Sequence, residues 1–170
     1  DRLGALDLRP VSHPSLGLPP RDLSAGFPEA AERLRAARAR VGARALEIAV
    51  DGDPSMRERY DETGLRLLLR DAATFIERIA LCVAGDDPQF VSEWADWMAP
   101  VYRRRRVPMD DLVSLARGLS RAVAPVLSPE ERRPAEAAIE AAIMVFRSYR
   151  RIAGDARKRN RILAAIYKGA

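Results

Sequence analysis

Two charged residues, Arg70 and Asp71, interrupt an apolar helical pattern in the segment "LLRDAATFIERIALCVAGDDP", residues 68–88. The positions one turn before and after Asp71 carry leucine, threonine and phenylalanine, so no cation on the same helix can pair with this acid. An arginine beside such an acid could bind a carboxylate, while the acid accepts hydrogen bonds from ring N–H groups. The pair is therefore a candidate for ligand recognition. A solvated charge pair on a packed helix and a dimer contact are the alternatives.

Groups for catalysis or metal binding are scarce in this chain. His13 is the only histidine, which excludes a serine-histidine-aspartate triad and a histidine-dominated metal site. Cys82 lies in the apolar stretch "IALCVA", a setting that raises the pKa of a thiol and makes it inert. No glycine-rich phosphate-binding loop precedes a helix. The sequence predicts a non-enzymatic protein with no metal site.

Length and composition favour one helical domain. The chain has 170 residues, of which 48% are hydrophobic and 31% charged, and alanine, arginine and leucine dominate. No segment alternates in the manner of a strand, so we expect an all-α fold of about six to eight helices. No apolar run reaches the length of a membrane span or a signal peptide, and a cytoplasmic location is the expectation.

Proline, glycine and capping residues divide the chain into three parts. Residues 1–27 are predicted to form an irregular proline-rich arm, residues 28–150 a helical domain, and residues 151–170 a basic helical extension. Pro100 is expected to kink or split its helix. A heptad-like seam predicts a long C-terminal helix from Glu131 to Ile166, which either packs against a second chain or is interrupted and bent back at Gly154.

A series of short motifs accompanies the Arg-Asp pair at characteristic distances. They are Tyr60, Arg70-Asp71, Val83-Ala84-Gly85-Asp86, Tyr102 with Pro108, and Leu127-Ser128 before an acidic helix start. This run of spacings, from Tyr60 to Ile143, resembles phycobiliprotein subunits of the phycocyanin and allophycocyanin type. It covers about half of the chain. The resemblance implies a globin-like, phycocyanin-like helical fold.

The resemblance also implies a tetrapyrrole site. In phycobiliproteins the arginine that matches Arg70 contacts a bilin propionate, and the aspartate that matches Asp71 accepts hydrogen bonds from pyrrole nitrogens. Phe75, one turn further on, is expected to pack against the macrocycle, and Tyr60 stands where the family often has a tyrosine. Leu68 replaces the cysteine that carries the bilin, so the implied ligand is non-covalent: biliverdin, another bilin or, as the lesser candidate, heme.

A second resemblance leads to a ligand-free interpretation. The motif "PMDDL", Pro108–Leu112, followed by a helix of small residues, is similar to RsbR-type stressosome sensor globins, which bind no heme and dimerise. Trp94 and Trp97 stand where phycobiliproteins commonly have glycine, and their bulk could fill a chromophore pocket. The alternative prediction is a dimeric signalling module without a cofactor.

The C-terminal residues carry most of the positive charge. Residues 147–170 contain eight lysines and arginines and one acid, so this segment has a net charge of +7. Because the whole chain has a net charge of +5, residues 1–146 sum to −2. Its apolar line, which includes Leu163 and Tyr167, predicts a homodimer seam or a protein partner. Nucleic acid and a membrane surface are the less favoured partners.

Overall fold

The computed structural model describes residues 22–150 of the chain, and this part is built from six α-helices without a strand. The all-α prediction is thereby confirmed. His13, most of the proline-rich arm and the predicted seam at Leu163 and Tyr167 lie outside the described residues. The helices are α1 (Pro28–Gly52), α2 (Met56–Arg59), α3 (Glu62–Gly85), α4 (Gln89–Arg104), α5 (Met109–Val123) and α6 (Pro129–Ser148).

Helix starts follow the capping signals in the sequence. Pro28 opens α1, where its missing N–H costs nothing. The Asp61 side chain accepts a hydrogen bond from the Gly64 N–H at the start of α3. Ser128 and Glu131 form a capping box at the start of α6, in which each side chain accepts from the backbone N–H of the other. These local features explain where α1, α3 and α6 begin; the starts of α1 at Pro28 and of α6 after Ser128 are those that the sequence predicts.

The structure bears on two predictions about the later helices. Pro100 was expected to kink or split its helix, and the helix is not split: α4 runs from Gln89 to Arg104 with Pro100 inside it, and it buries a face that includes Val91, Ala95 and Ala99. The last helix was expected to extend from Glu131 to Ile166, with an interruption or bend at Gly154 as the alternative, but α6 already ends at Ser148; residues 151–166 lie outside the described part of the chain.

Two contacts anchor the end of α6 to neighbouring helices. The Tyr149 hydroxyl donates to Asp96 of α4 over 2.8 Å. Arg150 forms an ion pair with Asp110 of α5. These contacts pull the chain against α4 and α5 directly after the last turn, which explains the early end of α6.

The core lies between α3 and the helices around it. Helix α1 packs against α3 and α5, while α6 packs against α4, α5 and α3. Asp71 and Asp111 are the only charged residues buried among those the structure describes, at 8% and 1% exposure. Between residues 22 and 150, no helix combines the length and the apolar character needed to cross a membrane. Asp71 and Asp111 therefore place charged groups inside an otherwise apolar core.

Candidate functional site

A groove of about 510 Å³ runs between α3 and α4, within the size range of small-molecule sites. The two helices are joined by a turn at residues 86–88 and contact each other. Side chains spaced by about four positions on each helix form the two walls. The α3 wall consists of Arg70, Asp71, Thr74 and Arg78, and the α4 wall of Phe90, Glu93, Trp94, Trp97 and Met98.

Asp71 lies in this groove and has a partner that the sequence did not reveal. Arg105, just beyond the end of α4, donates from Nη1 to Asp71 Oδ2 over 2.8 Å. The guanidinium of Arg105 also lies over the Tyr102 ring, 5.5 Å from its centroid. The interpretation of a solvated Arg70-Asp71 pair is therefore wrong, because Asp71 is buried and its cation comes from another part of the chain.

Arg70, unlike Asp71, has no ion-pair partner in the described part of the chain. It is exposed on the α3 wall, and it forms no ion pair with any residue between 22 and 150. Its guanidinium is thus available to an anion that enters the groove. Arg70 and Asp71 are adjacent, yet Arg70 forms no ion pair within residues 22–150, whereas Asp71 is paired with Arg105.

The other two predicted site residues do not line the groove. Phe75 is 2% exposed and packs in the core, with its ring centroid 4.9 Å from that of Trp94 and 6.4 Å from that of Phe146. The Tyr60 hydroxyl donates to Asp111 Oδ2 over 2.7 Å. Phe75 therefore supports the groove from behind, and Tyr60 belongs to a different polar cluster.

The tryptophans leave the groove open. Trp94 is 8% exposed and turns its ring towards Phe75, whereas Trp97 is 71% exposed at the rim. Together with Phe90 and Met98 they make the α4 wall largely aromatic and apolar, opposite a wall with two arginines. Such a site can stack a flat conjugated ligand on one side and pair its anionic groups on the other.

Cys82 and the potential metal-ligating side chains are the remaining candidates for a reactive or metal-binding site in the described region. Cys82 is fully buried, as its apolar neighbours predicted. Residues 22–150 bring together no group of three histidine, cysteine, aspartate or glutamate side chains that could hold a metal ion.

A second polar cluster, around Asp111, connects α2 to the start of α5. Arg59 donates from Nη2 to Asp111 Oδ1 over 2.7 Å and from Nε to Asp111 Oδ2 over 3.1 Å. The same Nη2 lies 2.8 Å from Asp53 Oδ2. With the Tyr60 hydroxyl, this makes a bidentate and fully bonded arrangement around a buried carboxylate. The cluster holds the α1–α2 connection against α5.

The partly buried Tyr60 and the buried Tyr102 have pKa values above the usual tyrosine range. Burial is the main cause for both, and the negative charge of Asp111 adds to it for Tyr60, as that of Asp71 does for Tyr102. A raised folded-state pKa means that the folded protein holds these protons more tightly than the unfolded chain. Their contribution to stability is therefore complete below pH 10 or so and is lost as the pH rises above it.

We expect the free energy of unfolding to fall above about pH 10, by up to about 1.4 kcal/mol per pH unit for each tyrosine. Urea unfolding at a series of alkaline pH values measures this slope. The double variant Tyr60→Phe/Tyr102→Phe should start from a lower stability but show a flatter pH dependence. An equal slope in the wild type and the double variant would contradict the assignment.

Arg105 and the aromatic wall were not predicted as site residues. The arginine run at 103–106 suggested only a capped helix end, and no local rule connects Arg105 to Asp71, which is 34 positions away. The spacing of Phe90, Trp94 and Trp97 could have indicated one helical face.

Comparison of the chain with known protein families, curated sequences and solved structures found no match.

Proposed function

We propose that this chain is a phycobiliprotein-like, globin-like domain that binds a tetrapyrrole non-covalently and acts in binding or sensing. The observation that carries the proposal is the position of Arg70 and Asp71 on one wall of a groove whose other wall is aromatic. These are the two residues that the resemblance assigns to a bilin propionate and to pyrrole nitrogens. Biliverdin or another bilin is the proposed ligand, with heme the weaker candidate.

The contacts of Asp71 are compatible with this role. Arg105 donates to Oδ2, and the buried Tyr102 hydroxyl also hydrogen-bonds to this carboxylate. An ionised carboxylate has about four acceptor sites, so Asp71 can accept from ligand N–H groups while it stays paired with Arg105. Arg70, exposed beside it, supplies the cation for a propionate.

Titration of the purified protein with biliverdin, followed by absorbance and induced circular dichroism, tests the proposal. We expect a long-wavelength shift at micromolar pigment and a roughly tenfold weaker Kd for Arg70→Gln, because a charge-assisted hydrogen bond is lost. Asp71→Asn should weaken binding as well. Arg66→Gln is the matched control, since Arg66 lies one turn before Arg70 but pairs with Glu62 outside the groove.

The same experiment separates the proposal from its alternative, a ligand-free dimeric sensor of the RsbR type. For that alternative we propose Trp97 of α4 and Met144 of α6 as contact residues, since these large apolar side chains are 71% and 59% exposed. If neither biliverdin nor heme changes its spectrum, and light scattering gives the mass of a dimer, the alternative stands. A strict monomer that binds biliverdin would exclude it.

A further inference from the structure

Arg78 is a second arginine on the α3 wall of the groove. It lies eight positions after Arg70, which corresponds to about 12 Å along a helix. Like Arg70, it is exposed, lines the groove and forms no ion pair within the described part of the chain. Thr74 lies between the two arginines, and its hydroxyl bonds back to the Arg70 carbonyl over 3.1 Å. The α3 wall therefore presents two cations with a small residue between them.

The neighbouring acids do not neutralise this pair of cations. Glu77, adjacent to Arg78 in sequence, forms ion pairs with Arg35 and Arg38 on α1. Asp71 is paired with Arg105. Glu93 lies on the opposite wall of the groove.

A flat ligand in this groove would thus meet two cations on one edge. If it carried a single anionic group, one arginine would remain unpaired, whereas two anionic groups on flexible arms could pair with both. The long arginine side chains let the guanidinium groups adjust to ligand anions closer together than the helix rise between the two residues. The exposed ring of Trp97 at the rim of the groove supplies the main stacking surface.

We infer that Arg78 is a second anion-binding residue of the groove, and that the groove selects a flat conjugated dianion over a monoanionic or uncharged analogue. This inference rests on the proposed function and deepens it, because the resemblance assigns only Arg70 to an anionic group. Arg78 here determines specificity: it distinguishes ligands by their number of anionic groups.

The test compares biliverdin with its dimethyl ester in the wild type, Arg78→Gln and the control Arg66→Gln. We expect Arg78→Gln to weaken biliverdin binding roughly tenfold and to leave binding of the diester unchanged. The wild type should bind the diacid more tightly than the diester, with a preference that declines as salt is added. Equal Kd values for biliverdin in the wild type and Arg78→Gln, or for diacid and diester in the wild type, would overturn the inference.

A second pair of probes keeps this result separate from the proposed function. The dye bis-ANS is a conjugated dianion unrelated to tetrapyrroles, and ANS is its monoanionic counterpart. Fluorescence titration should show that Arg78→Gln weakens bis-ANS binding and leaves ANS unchanged. If biliverdin fails to bind but bis-ANS depends on Arg78, the tetrapyrrole proposal is rejected and the dianion site stands. If biliverdin binds and neither dianion depends on Arg78, the proposed function stands and the role of Arg78 is rejected.

Discussion

Replacing Asp111 with alanine should lower the free energy of unfolding by about 3 kcal/mol, as expected when one partner of a buried ion pair is removed. Asp111 is 1% exposed and accepts two hydrogen bonds from Arg59 and one from Tyr60. Without it, the Tyr60 hydroxyl loses its acceptor, and the half-buried Arg59 keeps only Asp53 as a charged partner. The loss of an acid in the first turn of α5 adds a smaller helix-dipole effect.

Urea unfolding followed by circular dichroism measures this change. Glu47→Ala is the control, because it also removes an acid from an arginine pair, here with Arg44, but both side chains are more than half exposed. It should change stability by less than about 1 kcal/mol. Asp111→Asn, which keeps one acceptor oxygen and the side-chain volume, should fall between the two. A stability of Asp111→Ala equal to that of Glu47→Ala would show that the cluster contributes little.

The helices could largely be predicted because their signals are local. Pro28, Asp61 and the Ser128-Glu131 capping box each act within a few residues, and an apolar stripe can be recognised without knowledge of its partner. The sequence could not decide whether Pro100 splits its helix, because a local rule cannot weigh the cost of a missing N–H against the packing of the whole helix; α4 is continuous through it. The end of α6 depends on contacts with α4 and α5, which are distant in sequence.

The candidate site could be predicted only in part, for the same reason. The adjacency of Arg70 and Asp71 is visible in the sequence, and the structure places both in one groove. The sequence does not show that Arg70 is exposed while Asp71 is buried in an ion pair, because the partner of Asp71 is Arg105 from the α4–α5 connection. Tyr60 was expected near the ligand, but it bonds to Asp111, a residue 51 positions away. Long-range pairs of this kind follow from how helices pack, which no spacing rule in one sequence reports.

The close approach of α1 and α5 predicts a large effect for a very small substitution, Gly118→Ala. A Cβ atom added at Gly118 would lie 2.2 Å from the carbonyl oxygen of Ala45 and 3.0 Å from its carbonyl carbon. Both are backbone atoms of α1, so no side chain can rotate away and the two helices must separate. We expect a loss of about 3 kcal/mol in the free energy of unfolding, at the upper end of the usual range for overpacking. The better helix propensity of alanine offsets about 1 kcal/mol of the strain and is already included in this figure.

Gly42→Ala provides the matched comparison, because Gly42 is also a buried glycine within a helix. Its added Cβ would meet Ala72 and Ile76 of α3 at 3.6 Å, which is ordinary van der Waals contact. The same substitution should therefore be neutral or stabilise the protein by up to about 1 kcal/mol. Thermal and urea unfolding of both variants measure the difference. Because α5 follows directly on the connection that carries Arg105, separation of α1 from α5 should also loosen the Asp71 pair. Equal unfolding midpoints for Gly118→Ala and Gly42→Ala would contradict the packing described for α1 and α5.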